Sequence, residues 1–192
     1  MALAPLIVIS GPSGVGKTTL VDTLLARTTL PLRRAVTATT RVKRPGEIEE
    51  VSYHFWSRDQ FQEAIARNEM LEWAEVHLKD FYGTPRSEVD PYRERGVGVM
   101  LVIEVQGAGQ IRARYPNDHL SIFIYPPSFD DLERRLRGRG EPEESIQRRL
   151  HTAHGELARK DEYDRVIENG DINSATDALE TIIRDEFKRR GF

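Results

Sequence analysis

Eight consecutive residues near the start of the chain, Gly11, Pro12, Ser13, Gly14, Val15, Gly16, Lys17 and Thr18, fit G-x-x-x-x-G-K-[ST] at every position. Glycines permit positive φ and a close backbone approach, so successive N–H groups can curl around an anion. A helix starting at the end of such a loop adds the positive end of its dipole. Lys17 would then reach the β- and γ-phosphates of ATP, and the Thr18 hydroxyl would hold the accompanying Mg2+. Residues Gly11 to Thr19 are therefore the candidate ATP site. At average residue frequencies a random chain of this length carries the pattern about 1% of the time, so chance explains it poorly. GTPases share the loop, but their N-K-x-D element is absent, and Glu104-Val-Gln-Gly107 has Glu where a D-x-x-G switch has Asp.

A second group of residues suits a phosphate monoester. Arg41 and Arg44 place two guanidinium forks three residues apart, a spacing that can chelate a doubly charged phosphate. By composition alone, Arg41, Lys43 and Arg44 read as a solvated basic loop. Glu72 taken alone reads as a surface carboxylate. His151 and His154 stand at i, i+3, but no cysteine or third ligand lies near them in sequence, and they read as exposed.

The elements that must position these groups follow from hydrophobic periodicity. Leu6 to Ile9 predicts a buried parallel strand, and Leu20, Val21, Leu24 and Leu25 mark the helix after the loop. Arg33 to Thr40 predicts a second strand, Tyr53 to Trp56 a short third, and Met70 to Val76 an extended segment. Ser57 predicts the N-cap of a helix burying Phe61, Ala64 and Ile65. Thr84-Pro85 resembles a cap followed by proline in a first helical turn. Val97 to Val105 reads as a central strand, followed by a helix over 110–115 and a strand over Leu120 to Tyr125. Ser128 with Asp131 resembles a capping box for a helix through Leu132 and Leu136. Gly138 to Gly140 breaks that helix and Glu143 to Arg159 resumes it. Val166-Ile167 predicts a last strand, and Asn173 the cap of a closing helix. Alternating strands and helices imply an α/β layer fold with a mainly parallel sheet, broken over about 37–95 by an apparent insertion of short strands.

Composition narrows the classes further. The 192 residues suit one compact domain, and 28 Lys+Arg against 31 Asp+Glu leave a formal charge of -3. That balance argues against a nucleic-acid partner. No cysteine is present, which rules out disulfides and thiolate metal sites and fits a reducing compartment. With no long apolar stretch, no membrane partner is expected, and the location expected is cytoplasmic.

The run Thr37-Ala-Thr-Thr-Arg-Val-Lys-Arg-Pro-Gly-Glu47, with Tyr53, Glu72-Trp-Ala-Glu75, Tyr82-Gly-Thr84, Val102-Ile-Glu-Val-Gln-Gly107 and Arg135-Leu-Arg-Gly-Arg139, resembles the guanylate kinase family over nearly the whole chain. The resemblance implies a P-loop three-layer fold with a core over 1–36, 96–127 and 160–192, a GMP-binding insertion over about 37–95 and a helical lid over about 128–159. It implies that Thr37, Arg41, Arg44, Tyr53 and Tyr82 hold the GMP phosphate, and that Glu72, Thr84 and Glu104 read the base. Lys17, Arg41, Arg135, Arg139 and Arg149 would be catalytic, with the last three as lid arginines. Asn169 would lie near adenine. The substrates implied are ATP and GMP, with Mg2+ as the cofactor. Three departures stand out: Thr37 replaces serine, Val76 to Tyr82 is one residue longer than usual, and Val102 replaces an acidic residue. Two other functions use the same scaffold, a kinase for another small phosphate acceptor and a non-catalytic interaction module. Glu72 and Thr84 disfavour the first, and an intact Lys17-Thr18 disfavours the second.

Overall fold

The computed structural model describes residues 3–76, 80–138, 140 and 142–192. Its centre is β1 (Leu6–Ser10), all five residues of which are buried. A strand can be apolar without interruption only when both faces and both edges are covered, and β1 meets that condition. It pairs in parallel with β7 (Gly98–Val102) on one side and β8 (Leu120–Tyr125) on the other. Adding β2 (Leu32–Arg34) and β9 (Arg165–Glu168) gives a five-stranded parallel sheet in the order β2-β7-β1-β8-β9.

Alternation along β1 divides the core in two. Ile7 and Ile9 pack with Leu20 and Leu24 of α1 (Lys17–Arg27) and with Leu179, Ile183 and Phe187 of α7 (Ile172–Arg190). Leu6 and Val8 face the opposite layer, with Val105, Ala108 and Ile111 of α4 (Val105–Arg114). The sheet thus lies between two helical layers, and the loops at its carboxyl ends form the crevice where such folds bind ligands. Among the described residues no helix is long and apolar enough to cross a membrane.

A second sheet of four strands has the order β4-β3-β6-β5. It comprises β3 (Ala38–Thr39), β4 (His54–Phe55), β5 (Met70–Val76) and β6 (Asp80–Pro85). Helix α2 (Arg58–Ala66) covers it, opened by a complete capping box between Ser57 and Gln60. Phe61 of α2 stacks on Phe81 of β6 with centroids 5.3 Å apart. A 3₁₀ turn (Arg86–Glu88) and α3 (Asp90–Glu94) lead back to β7. Helices α5 (Phe129–Arg137) and α6 (Glu143–Leu157) pack together after β8.

Several expected elements differ in detail. The strand expected over Arg33 to Thr40 is two strands in different sheets, because the chain crosses from one sheet to the other at residues 35–37. Thr84-Pro85 closes β6 instead of opening an α-helix, since Thr84 spends its hydroxyl on Glu72 across the ladder. The helix expected over 110–115 starts five residues earlier, at Val105, with Glu104 as its N-cap. Ser128 accepts from the Asp131 N–H, but the reciprocal half of the box is missing; the Ser128 hydroxyl donates to the Asp131 carboxylate. The helix expected to reach Arg159 ends at Leu157, before a 3₁₀ turn over Lys160–Glu162. The closing helix is capped by Asp171, not Asn173, because the Asp171 carboxylate reaches the Ser174 N–H at 2.8 Å.

Candidate active site

The loop between β1 and α1 is shaped by two steric demands. Gly11 has φ 141°, and a Cβ there would lie 2.1 Å from the Ile124 carbonyl oxygen on the neighbouring strand. Gly16, the α1 N-cap, has φ 97°, and a Cβ would meet the Asn169 amide nitrogen at 2.6 Å. Both positions exclude a side chain. No side chain caps α1 and no acidic residue sits in its first turn, so its amides are left for an anion. Lys17 Nζ curls back and donates to the Gly11 carbonyl at 2.6 Å and the Pro12 carbonyl at 3.1 Å. Thr18 and Thr19 are exposed beside it.

The back of the loop is clamped from outside. The Val15 carbonyl accepts from Asn169 Nδ2 at 2.7 Å and from Arg135 Nη1 at 3.1 Å. Arg135 Nη2 also donates to the Asn169 carbonyl at 2.8 Å, and Arg149 Nη1 donates to Ser13 Oγ at 2.7 Å. Arg135, Arg149 and Asn169 are thus gathered on the phosphate loop itself. Arg139 lies outside the described residues.

The second sheet presents the other group. Glu72 on β5 stands directly opposite Thr84 on β6, and Thr84 Oγ1 donates to Glu72 Oε1 at 2.7 Å. Both are buried, Glu72 to 3% exposure and Thr84 to 0%. Burial pushes the Glu72 carboxyl up to about 7; the Thr84 hydrogen bond opposes this, Glu104 adds to it and Arg114 offsets part of it. Glu104 is half-buried as the N-cap of α4.

Arg41, just after β3, is held by the side chains of Tyr82 and Glu47. Its Nε donates to Tyr82 Oη at 3.1 Å, and its Nη1 and Nη2 donate to the two Glu47 oxygens at 3.0 and 2.7 Å. Burial alone would lower the Arg41 pKa, but Glu47 and Tyr82 together carry it above the ordinary arginine value. Glu47 is held below the usual carboxylate range, first by the Arg41 hydrogen bond. The guanidinium carbon lies 5.5 Å from the Tyr53 ring centre, and Tyr53 meets Tyr82 edge-on at 6.0 Å. Arg44 is exposed on the same loop, its backbone N–H bonded to Glu47 at 2.7 Å. Thr37 is half-buried just before β3, its carbonyl accepting from the His54 N–H.

Two residues of this region carry no role in the sequence reading. Glu47 belongs to the motif, but its meeting with Arg41 depends on a turn closed by Glu47 N–H to the Arg44 carbonyl, which the Pro45-Gly46 pair could have signalled. Glu156 on α6 is pushed up to about 7 by burial, with Glu104 adding and Lys17 and Arg159 opposing. Arg149, Ala153 and Glu156 stand at i, i+4 and i+7, so helical spacing would have put Glu156 on the arginine's face.

A parallel sheet whose central strand runs into G-x-x-x-x-G-K-T and then a helix defines the P-loop class of phosphate-binding proteins. The family model for guanylate kinase matches residues 4–186. A guanylate kinase of Trichormus variabilis is 50% identical over 179 residues, covering 93% of this chain and 88% of that protein. One of Desulfitobacterium hafniense is 46% identical over 183 residues, covering 94% and 90%. The crystal structure of guanylate kinase from Anaplasma phagocytophilum superposes with a TM-score of 0.80 at 33% identity, covering 97% of this chain and 87% of that one. The chain belongs to the guanylate kinase family.

Proposed function

We propose that this chain transfers the γ-phosphate of ATP to GMP, and to dGMP, releasing ADP and GDP. The observation that carries the reading is the buried Glu72–Thr84 pair set against the first turn of α4. Guanine presents N1–H and its N2 amine side by side, and one carboxylate accepts both. Adenine would point a bare acceptor at that carboxylate, a mismatch costing several kcal/mol in a closed site. Thr84 can turn its hydroxyl from Glu72 toward O6, and Glu104 can take the amine from the other side. Arg41, Arg44, Tyr53, Tyr82 and Thr37 would hold the acceptor phosphate.

At the donor end the backbone amides of 11–19 would cradle the triphosphate, with Asn169 toward the adenine. Lys17 would exchange its two loop carbonyls for phosphate oxygens. The acceptor phosphate is largely dianionic near neutral pH, so no general base is needed. One of its oxygens forms a bond to the γ-phosphorus as the bond to the β,γ-bridging oxygen breaks, and the electron pair leaves with ADP. The protein's part is alignment and charge neutralisation. Arg139 and Arg149 would supply positive charge to the transferring group; Arg135 adds its charge while its N–H groups hold Val15 and Asn169. The segments 37–95 and 128–159 would close over the substrates and keep water out.

Among the described residues no three acidic or histidine side chains gather into a metal cage. An exposed Thr18 hydroxyl at the helix start instead suits an ion that takes most of its ligands from phosphate and water, as Mg2+ does. Mg2+ would neutralise charge between the phosphates, with Thr18 as its protein ligand. A cysteine-free kinase of nucleotides suits the cytoplasm. The test is transfer from ATP with GMP, dGMP, AMP and sugar phosphates offered in turn. A preference for any acceptor without guanine would end this reading.

A further inference from the structure

Glu72 is positioned by a residue that has no side chain. Thr84 fixes one carboxylate oxygen, Oε1, from β6. The other, Oε2, lies against Gly107 in the first turn of α4: a Cβ built there would sit 2.1 Å from Oε2 and 3.0 Å from Cδ of Glu72. Real Cβ atoms do not approach so closely, so any side chain at 107 must turn the carboxylate away.

The strand cannot retreat instead. Gln110 Oε1 accepts from the Trp73 N–H at 3.3 Å, and Arg114 Nη1 donates to the Leu71 carbonyl at 2.9 Å. Residues 107, 110 and 114 fall on one face of α4 at i, i+3 and i+7, and that face binds the β5 backbone on both sides of Glu72. The strand is pinned at 71 and 73, and only the Glu72 side chain is left to yield. Gly109, two positions on, makes the contrast: a Cβ there would meet nothing nearer than Arg159 Nη2 at 3.7 Å.

We propose that Gly107 is a specificity-determining position of this enzyme, acting through Glu72. By leaving room for Oε2 it aims both carboxylate oxygens at the guanine edge. This rests on the reading of Glu72 as the guanine acceptor. Because the clash is with the flexible tip of a side chain, the loss falls on recognition and leaves packing intact.

The test is a double-mutant cycle. Gly107→Ala should raise the KM for GMP roughly tenfold or more, the scale of one misdirected charged hydrogen bond. It should leave kcat within about twofold, narrow the GMP-over-AMP preference, and leave the melting temperature unchanged or higher, since alanine favours helix. Gly109→Ala should do none of this. Glu72→Asp shortens the side chain by one methylene, so adding Gly107→Ala to Glu72→Asp should raise KM by less than about twofold. That double variant also keeps its fold if the Glu72 contact is the only obstacle. A native KM in Gly107→Ala, or an equal KM rise in both backgrounds, overturns the proposal. If Glu72→Asp itself leaves the GMP-over-AMP ratio unchanged, the reading of Glu72 is wrong and Gly107 loses its role with it.

Discussion

Replacing Glu72 by glutamine should stabilise the protein and cripple it together. The carboxyl is 3% exposed, and its pKa rises from 4.5 to about 7 on folding. A raised carboxyl pKa means the folded state holds its proton more tightly. Stability is therefore gained as pH falls from about 7 toward 4.5, and is lost as pH rises through that window. The shift corresponds to roughly 3 kcal/mol of burial penalty at pH 8 and less than about 1 kcal/mol at pH 5. Glutamine keeps the shape, still accepts from Thr84 and carries no charge to desolvate. Thermal or urea unfolding at both pH values should show the variant's advantage over the native chain growing by about 2 kcal/mol from pH 5 to pH 8. At a few degrees per kcal/mol for a chain of this size, the change is easily read in a melting curve. Transfer to GMP should move the opposite way. The kcat/KM for GMP should fall on the order of 100-fold at pH 8, as charge-assisted bonds to N1–H and the N2 amine are replaced by one neutral acceptor and an opposed amide donor. In the native chain kcat/KM should drop about tenfold more steeply between pH 8 and 6 than in the variant, which retains the titration of the GMP phosphate and of Glu156. Parallel pH profiles for the two proteins, or a variant no more stable at pH 8 than at pH 5 relative to native, would refute the argument.

Lys17→Ala should cut turnover more than about 1000-fold while leaving the melting temperature close to native, because its two bonds are to carbonyls of the phosphate loop itself and not to core side chains; stopped-flow or coupled assays with a melting control decide it. Glu47→Gln should raise the KM for GMP roughly tenfold but leave inhibition by guanosine, which has no phosphate, unchanged. Tighter GMP binding in that variant would mean Glu47 competes with the phosphate instead of orienting Arg41.

The parts of this fold that were legible in the sequence are those where one local signal suffices. Leu6 to Ile9 is apolar because β1 is covered on all sides, and the loop after it is spelled by residue types that no other turn needs. Ser57 marked a helix start for the same reason, and the structure adds Gln60 as the other half of its capping box. Signals failed where two nearby residues compete for one role or where the partner is distant in sequence. Asp171 outcompetes Asn173 as a cap because its carboxylate reaches the Ser174 N–H, and either residue type fits the pattern. Thr84-Pro85 looks like a helix start until Glu72, twelve residues earlier, is placed across the ladder. The Val15 carbonyl as the meeting point of Asn169 and Arg135 spans more than a hundred residues, and no spacing rule encodes it.

The donors of Arg41 sharpen how the acceptor phosphate would be held. A guanidinium has five N–H groups. One goes to Tyr82, one each to the Glu47 oxygens, and Nη1 also donates to the Val42 carbonyl at 2.7 Å, leaving a single Nη2 hydrogen. Arg41 therefore cannot chelate a phosphate with both arms while Glu47 stays bound. Tyr82, by contrast, accepts from Arg41 through its oxygen and keeps its own O–H to donate. Accepting a bond from a cation polarises that hydroxyl and makes it a stronger donor. A bidentate grip would then fall to Arg44, which is exposed and close in sequence. Two arginines three residues apart would thus act in different ways, Arg41 setting the charge and priming the tyrosine while Arg44 closes on the oxygens.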